Sequence, residues 1–250
     1  MSAGAVVLAV TGAVKRFGAV AALDGVDLEL RAGEVVALLG DNGAGKSTLI
    51  KCISGVHRLD AGSIAIDGQA VAIHSPAAAR ALGIETVYQD LALFDNLDPA
   101  ANFYAGREDA SPAWLPSGLR VLRRARMRTA TAGILTRLQV EVPDSSTTVG
   151  LMSGGQRQAI AVARAAAFAT KVVILDEPTA ALGVRESRQV LDLIARLRDE
   201  GQAVLVVSHA MDHVMQVADR AVVLRRGRKV GEDRPTAENQ QRIVGLIVNG

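Results

Sequence analysis

The chain has 250 residues, a formal net charge of +2 and a hydrophobic content of 49%, with only 3% aromatic residues. This length suffices for one large domain or two small lobes, and the hydrophobic content excludes a disordered chain. The small net charge does not indicate a polyanionic partner, and the single cysteine, Cys52, excludes a disulfide framework. No stretch reaches the roughly 18 uninterrupted apolar residues of a membrane-spanning helix, so we expect a chain that does not itself cross a bilayer.

Short apolar or alternating runs predict strands in the first third of the chain, and glycines typical of turns separate them. These strands are Val6–Val10, Val26–Leu30, Val35–Leu39, Ser63–Ile66 and Ile84–Tyr88. Gly12 follows the first strand and Gly25 precedes the second. Two helices are predicted among them, from Lys46 to about Ile53 and from Pro76 to about Gly83.

The segment from Gln89 to about Val149 contains loop-forming residues and then a predicted long helix from about Arg120 to Gln139, which indicates a helical insert or second lobe. Helices and strands alternate after it. The predicted helices are Ser153 to about Phe168, Arg185 to about Glu200, Met211–Ala218 and one from about Thr236. The predicted strands are Val172–Leu175, Ala203–Val207, Ala221–Leu224 and Arg228–Val230. Apolar strands that alternate with helices predict an α/β core with a parallel sheet.

One part of the predicted helical segment is rich in arginine. No acidic residue lies between Asp109 and Glu141, and this interval contains Arg120, Arg123, Arg124, Arg126, Arg128 and Arg137. A solvated helix face explains such a run, and a nucleic-acid patch is the alternative. Because aromatic residues are not interleaved with the arginines, the solvated face is favoured.

The segment Gly40-Asp41-Asn42-Gly43-Ala44-Gly45-Lys46-Ser47 has the spacing of a phosphate-binding loop, and the helix that follows continues through Thr48. Glycines let such a loop curl so that backbone N–H groups point at phosphates, and the helix start adds positive potential. In this interpretation Lys46 contacts the β- and γ-phosphates, and the Ser47 hydroxyl is a Mg²⁺ ligand.

Two carboxylates follow the apolar strand Val172–Leu175. A buried parallel strand delivers Asp176 to the carboxyl edge of the sheet, where it can hold Mg²⁺ directly or through water. Glu177, one residue further, can polarise an attacking water molecule. A strand that simply ends in solvent-facing acids is the structural alternative.

A second anion-binding turn is predicted at Ser153-Gly154-Gly155-Gln156, where a serine and two glycines open a helix. An ordinary serine N-cap beside a glycine-rich turn explains the same residues. One nucleotide does not need two such sites in one chain, and this distinguishes the sequence from many other phosphate-loop proteins.

Together these motifs resemble the nucleotide-binding subunits of ABC transporters over essentially the whole chain, with Met152 where the family signature normally has leucine. The resemblance implies the α/β P-loop NTPase fold of ABC ATPases, with a mixed core sheet, an antiparallel N-terminal β subdomain and a helical subdomain. It implies one domain over residues 1–250. Residues from about 1–89 and 166–250 would form a RecA-like core with the β subdomain, and about 90–165 the helical subdomain that carries the signature.

The resemblance also implies ATP and Mg²⁺ as cofactors, and roles for particular residues. Phe17 would stack on adenine, although by itself it is better explained as a core residue. Gln89 would reach Mg²⁺, together with Ser47 and Asp176. His209, by itself a plausible helix-start residue, would contact the γ-phosphate, so the implied catalytic residues are Lys46, Glu177 and His209. The implied ATP-binding residues are Phe17, Gly40, Asn42, Gly43, Ala44, Gly45, Lys46, Ser47, Thr48, Gln89, Ser153, Gly154, Gly155 and Gln156.

The same resemblance implies partners. Two copies would pack head to tail when ATP binds, so that Ser153 and Gly155 of one copy complete the γ-phosphate site of the other. Gly183 departs from the pattern, because many family members have an aspartate there that helps to connect the two sites. The segments Glu177–Glu186 and Thr86–Leu93 are similar to bacterial monosaccharide importers of the ribose, xylose and fructose group.

An importer subunit is expected at the cytoplasmic face of the inner membrane, with integral-membrane permease subunits as partners. Through the permease it would serve a periplasmic or extracellular solute-binding protein, and no nucleic-acid partner is expected. An importer subunit for another small solute is one alternative. A soluble ABC ATPase that acts on nucleic acid or ribosomes is another, although the chain has neither the long coiled-coil insertion nor the second ATPase half of such proteins.

Overall fold

The computed structural model describes residues 4–111, 121–144 and 146–249. Its strands are β1 (Val6–Phe17), β2 (Val20–Arg31), β3 (Val35–Leu39), β4 (Ala61–Ile66), β5 (Gln69–Val71), β6 (Ile84–Val87), β7 (Ala110–Ser111), β8 (Val121–Leu122), β9 (Val172–Asp176), β10 (Ala203–Val207), β11 (Arg220–Arg225) and β12 (Arg228–Asp233). Its helices are α1 (Lys46–Ile53), α2 (Pro76–Ala81), α3 (Pro99–Tyr104), α4 (Arg124–Arg137), α5 (Gly154–Phe168), α6 (Val184–Asp199), α7 (Met211–Val217) and α8 (Gln240–Asn249). None of these helices is both long and apolar enough to cross a membrane.

The larger sheet has six strands in the spatial order β12, β11, β3, β10, β9 and β6. Neighbouring strands from β11 to β6 pair in parallel, and β12 pairs with β11 antiparallel. The strands β3 and β10 are buried along their whole length, as expected for a parallel sheet covered on both faces. The predicted parallel α/β core is therefore confirmed, with the antiparallel β12 making the sheet mixed.

Alternate residues of the central strands enter two different cores, because successive side chains of a strand point to opposite faces. Ile174 and Leu205 pack on the side of the second sheet and α1. Val173 and Val204 pack on the side of α5 and α6. The parallel sheet is thus the middle layer of the molecule and fixes where its strand ends lie.

The second sheet is antiparallel, in the order β2, β1, β4 and β5. Its first two strands are much longer than predicted, because Gly12 and Gly25 do not end them. Gly12 has a φ of 58° at an irregularity in the β1–β2 register, and its N–H donates to Asp27 Oδ1 at 2.7 Å. A glycine at a bulge inside a strand has the same positive φ as a glycine in a turn, so the local pattern does not distinguish the two.

The helical part between β6 and β9 differs from the prediction in detail. The predicted helix start at Arg120 lies outside the described residues, and α4 begins at Arg124, after the short strand β8. The short helix α3 was not predicted. It begins with Asp98, whose side chain accepts the Ala101 N–H, and Pro99, two residues typical of a helix start.

The arginine-rich stretch is largely ion-paired with carboxylates outside it. Arg128 contacts Asp98 at 2.8 Å, Arg126 contacts Asp109 at 3.4 Å, and Arg137 lies 3.9 Å from Glu200. These arginine side chains are exposed, so each pair contributes little stability. The pairing supports the solvated, ion-paired helix face.

Leu205→Ala tests the position of the core. Leu205 is fully buried in the central strand β10, so the substitution should lower the free energy of unfolding by about 2–5 kcal/mol. Urea denaturation followed by circular dichroism measures this loss. The control Val184→Ala removes a side chain that is 92% exposed and should change stability by less than about 0.5 kcal/mol. Equal losses in the two variants would contradict the placement of β10.

Candidate active site

The loop between β3 and α1 needs glycine at two positions. Gly40 has a φ of 141°, and a Cβ there would collide with the carbonyl oxygen of Leu224. Gly45 has a φ of 107°, and a Cβ there would lie 2.6 Å from the carbonyl oxygen of Ala22. Between them the chain turns tightly, with the Ala44 N–H bonded to the Asp41 carbonyl at 3.1 Å. The loop is therefore curled as the phosphate-loop prediction requires.

Lys46 lies at the mouth of this loop. Its ammonium donates to the carbonyl oxygens of Gly40 at 2.6 Å and Asp41 at 3.0 Å, which hold the side chain over the loop. The loop opens into a cavity of about 480 Å³ lined by residues 42–48, residues 20–22 and Arg226. A cation at the mouth of a loop of backbone donors is suited to polyphosphate.

Arg226 is a candidate residue that the sequence did not reveal. It is exposed at the tip of the β11–β12 hairpin and faces the loop cavity. The hairpin is fixed there because the Gly227 N–H donates to the Ala44 carbonyl at 3.0 Å. This approach depends on sheet order, which no local pattern around Arg226 indicates.

Asp176 ends β9 and is half-buried beside Glu177. Burial raises the pKa of Asp176, the negative charge of Glu177 raises it further, and Lys46 and Lys51 oppose the shift. A divalent cation fits this environment, since it would compensate the crowded negative charge. The candidate ligands Ser47, Asp176 and Gln89 all offer oxygen atoms, which suit Mg²⁺. The described ranges contain no group of three or more His, Cys, Asp or Glu side chains that could hold a metal ion.

Glu177 and His209 are in direct contact. Glu177 Oε1 lies 2.9 Å from His209 Nδ1, and the Glu177 side chain is largely buried while that of His209 is 77% exposed. Glu177 has a φ of 53°, rare for a residue other than glycine, and its N–H bonds to the Val207 carbonyl at 2.9 Å. The two predicted catalytic residues, which follow β9 and β10, are thus brought together.

Gln89 is exposed just after β6, the strand next to β9. The adjacent Tyr88 hydroxyl bonds to the Ser54 hydroxyl at 2.8 Å, which ties this strand end to the end of α1. Carboxyl ends of parallel strands meet at one edge of a sheet, and Gln89, Glu177 and His209 all follow such ends.

Phe17 is 46% exposed, so it is not the core residue that its type alone suggested. The imidazole of His57 packs on it edge to face, with ring centroids 5.2 Å apart, and Lys15 Nζ lies 5.5 Å from the ring centroid. His57 belongs to none of the sequence motifs, and the fold alone brings it to Phe17.

The turn at Ser153 caps α5. The Ser153 hydroxyl accepts the Gln156 N–H at 3.3 Å, and Gln156 Oε1 accepts the Ser153 N–H at 2.9 Å, so the serine N-cap interpretation holds within one chain. Ser153, Gly155 and Gln156 line a second cavity of about 480 Å³ together with residues of α6. No residue that lines this cavity also lines the phosphate-loop cavity.

The loop after Glu177 is held by a hydrogen bond to α7 that no sequence motif indicates. His213 Nδ1 lies 2.9 Å from the Thr179 hydroxyl, and Thr179 is buried. The loop then reaches the signature turn, since a Cβ at Gly154 would lie 3.5 Å from Leu182 Cδ2. His213 of α7 therefore supports this loop through Thr179.

Comparison with known proteins gives three kinds of match. A family model described as ABC transporter matches residues 23–180. The xylose/arabinose import ATP-binding protein XylG of Sulfolobus acidocaldarius is 46% identical, over 94% of this chain and 91% of that protein. The fructose import ATP-binding protein FrcA of Rhizobium meliloti is 48% identical, over 90% and 86%. The crystal structure of the ADP conformation of MJ1267, an ABC transporter cassette, superposes with a TM-score of 0.82 at 25% identity, covering 98% and 99% of the two chains.

The family match covers more than half of the chain, and both relatives are similar over nearly their whole length. The solved cassette has the same fold over nearly the whole of both chains. The expected fold class and the expected cofactors, ATP and Mg²⁺, are confirmed by these matches. The chain belongs to the ABC transporter family, as one of its ATP-binding, ATP-hydrolysing subunits.

Proposed function

We propose that the chain is the ATPase of a bacterial importer and that its hydrolysis of ATP drives uptake of a monosaccharide. The observation that carries this proposal is the similarity of 46% and 48%, over nearly full length, to two import ATP-binding proteins named for pentoses and for fructose. An importer for another small solute remains the second candidate, because the solute contacts other subunits. The ion-paired arginine face gives no support to a nucleic-acid partner.

In the proposed site, phosphates of ATP bind the loop from Gly40 to Thr48. Lys46 exchanges its two carbonyl partners for the β- and γ-phosphates, and the α1 start adds backbone donors. Phe17 stacks on the adenine, supported by His57. This arrangement stabilises both the charge of bound ATP and the charge that spreads over the phosphoryl oxygens during transfer.

Ser47, Asp176 and Gln89 would hold Mg²⁺. The bound cation would neutralise charge on the β- and γ-phosphates. The raised pKa of Asp176 means that its ionised form is less stable than that of an exposed aspartate. Binding of Mg²⁺ therefore stabilises the ionised carboxylate.

Glu177 is proposed to orient or deprotonate the attacking water, and His209 to contact the γ-phosphate. Their 2.9 Å contact holds the carboxylate at the edge of the sheet. The Glu177 backbone is fixed by the neighbouring strand, so little reorganisation is needed before reaction.

Two copies are proposed to complete each site. Ser153, Gly154, Gly155 and Gln156 form the start of α5, where the capping box uses the N–H groups of Ser153 and Gln156 and leaves those of Gly154 and Gly155 as backbone donors. The cavity lined by Ser153, Gly155 and Gln156 is separate from that of the phosphate loop. A second copy in head-to-tail arrangement brings this turn to the γ-phosphate. Hydrolysis removes the bridging phosphate and lets the pair open.

A groove of about 540 Å³ is the proposed docking site for the permease. It lies between α3, α4 and residues 94–98, and its lining includes the exposed apolar side chains of Phe94 and Leu122. An exposed apolar groove in an ABC subunit suits a helix of an integral-membrane partner. The chain would then lie at the cytoplasmic face of the membrane and serve a solute-binding protein through the permease.

The proposed division of the chain follows the same geometry. Residues of about 1–89 and 166–250 form the core with the β subdomain, and about 90–165 form the helical subdomain. The second boundary falls within α5, which ends at Phe168, so one helix is shared by the two parts. Movement of the helical subdomain would therefore be transmitted along α5.

Glu177→Gln should bind ATP but lower kcat for hydrolysis at least about 100-fold, because the amide cannot accept a proton from water. The variant should accumulate as a dimer with ATP and Mg²⁺, measured by size-exclusion chromatography with light scattering. Glu200→Gln, an exposed control at the end of α6, should behave as wild type. A Glu177→Gln protein that stays monomeric with saturating ATP would contradict the paired site.

Phe94→Asp tests whether the groove binds the permease of a sugar importer. The side chain is 54% exposed in the groove, so a carboxylate there should weaken permease binding about tenfold or more without unfolding the chain. The measurement is co-purification of the permease in detergent, and uptake of radiolabelled xylose, fructose and ribose by cells whose own gene carries the variant. Val244→Asp in α8 is the matched control. If removing the gene leaves uptake of all three sugars unchanged, the monosaccharide proposal is wrong.

A further inference from the structure

The segment Leu91–Leu97, which we name the linking segment, directly follows Gln89 and Asp90 and contributes Phe94 and Leu97 to the groove. Arg164 of α5 reaches it with both terminal nitrogens. Nη1 donates to the Ala92 carbonyl at 2.8 Å and Nη2 donates to the Leu91 carbonyl at 3.0 Å. The planar fork of a guanidinium suits two adjacent acceptors, a geometry that lysine cannot reproduce.

Arg164 depends on these carbonyls for compensation of its charge. Burial lowers the pKa of Arg164, Glu85 attracts its charge, and Arg107 repels it. The Glu85 carboxylate is already bonded to Arg107 at 2.9 Å, and the Arg107 guanidinium lies 4.2 Å from the centroid of the Phe168 ring. The Glu85 carboxylate is therefore shared by Arg107 and Arg164. The carbonyl oxygens of Leu91 and Ala92 are further acceptors for Arg164, which it would lose if the linking segment moved away.

The other end of the linking segment is attached to the same helix and to the turn before it. Arg157, two turns before Arg164 on α5, contacts Asp95 at 2.8 Å. The Val149 N–H donates to the Leu97 carbonyl at 2.9 Å, and the Gly150 N–H donates to the Asp95 carbonyl at 2.8 Å. Residues seven apart lie on one helix face, so α5 holds the linking segment along its length.

The backbone of the linking segment is consistent with this attachment. Ala92 has a φ of 49°, a conformation that alanine rarely adopts and that persists only where surroundings impose it. Ala92 is itself exposed, so side-chain packing does not impose the conformation. The bond from Arg164 Nη1 to its carbonyl oxygen is a contact that holds the backbone at this position.

We propose that Arg164 is a positioning residue that couples the linking segment to the signature helix. Gln89, two residues before the segment, and Ser153–Gln156 at the start of α5 then move as one unit. A partner in the groove acts on both of these ATP-contacting elements through Arg164. The identity of the partner rests on the proposed function, whereas the attachment of the linking segment to α5 is independent of that function.

Arg164→Lys is the principal test, since it keeps the positive charge and removes the fork. Hydrogen–deuterium exchange without nucleotide should become about tenfold or more faster in residues 89–97, the factor expected for loss of one bond to a charged group. Exchange in β3, β9 and β10 should stay unchanged.

Steady-state kinetics of Arg164→Lys should show kcat reduced about tenfold and KM for ATP changed less than about threefold, because the phosphate loop is untouched.

Two further variants keep the test decisive. Arg188→Lys, an exposed arginine on α6, is the matched control and should change neither readout. Asp95→Asn removes the Arg157 pair at an exposed position, so folding is not at risk, and it should speed exchange around residue 95.

Unchanged exchange in residues 89–97 of Arg164→Lys would overturn the inference, whatever the result with Asp95→Asn. A uniform rise across the chain with a lowered Tm would also overturn it, since Arg164 would then only support the fold. If the wild-type chain fails to hydrolyse ATP, the proposed function fails, whereas the exchange result still decides the coupling.

Discussion

Parallel pairing of β10 with both β3 and β9, and of β9 with β6, places four strand ends side by side at one edge of the sheet. The phosphate loop follows β3, and His209 follows β10. Asp176 ends β9 with Glu177 directly after it, and Gln89 follows β6. The apolar residues of these strands are buried from two sides, so their register cannot slip without exposing the core. The chemistry at this edge therefore depends on the packing of side chains that never contact ATP.

The same geometry explains why one chain is not enough for the proposed mechanism. Backbone donors occur at two helix starts, that of α1 after the phosphate loop and that of α5 at Ser153. These open into separate cavities, and within one chain the capping box at Ser153 uses only the N–H groups of Ser153 and Gln156. A γ-phosphate that lies between two copies uses both helix starts at once. The binding energy of ATP can then hold the pair together.

Much of this site was predictable because its motifs are local. The loop from Gly40 to Ser47, the acids after β9 and the turn at Ser153 each combine a residue pattern with an adjacent strand or helix. The errors came where local patterns are ambiguous. Gly12 is typical of a turn, yet it lies at a bulge whose partner is Asp27 in the neighbouring strand.

The residues that were missed contribute through contacts that only the fold creates. Arg226 reaches the phosphate loop because β11 pairs with β3, far away in sequence. Arg164 meets Leu91 and Ala92 across more than seventy positions, and its local pattern is that of an ordinary helical arginine. Phe17 was assigned to adenine only through the family resemblance, because residue type alone favours burial, and the end of the β1–β2 hairpin leaves the ring 46% exposed.

Mixing two inactive variants tests the central claim, that each ATP site is shared between two copies. Lys46→Ala disables the phosphate loop, and Ser153→Asp keeps a good N-cap while its charge repels phosphate. In a mixed pair, one site combines the intact loop of one chain with the intact turn of the other. Equimolar mixing should therefore restore ATP hydrolysis to at most about a quarter of the wild-type rate, since half of the pairs are mixed and each has one intact site. A mixture as inactive as its components would contradict the account.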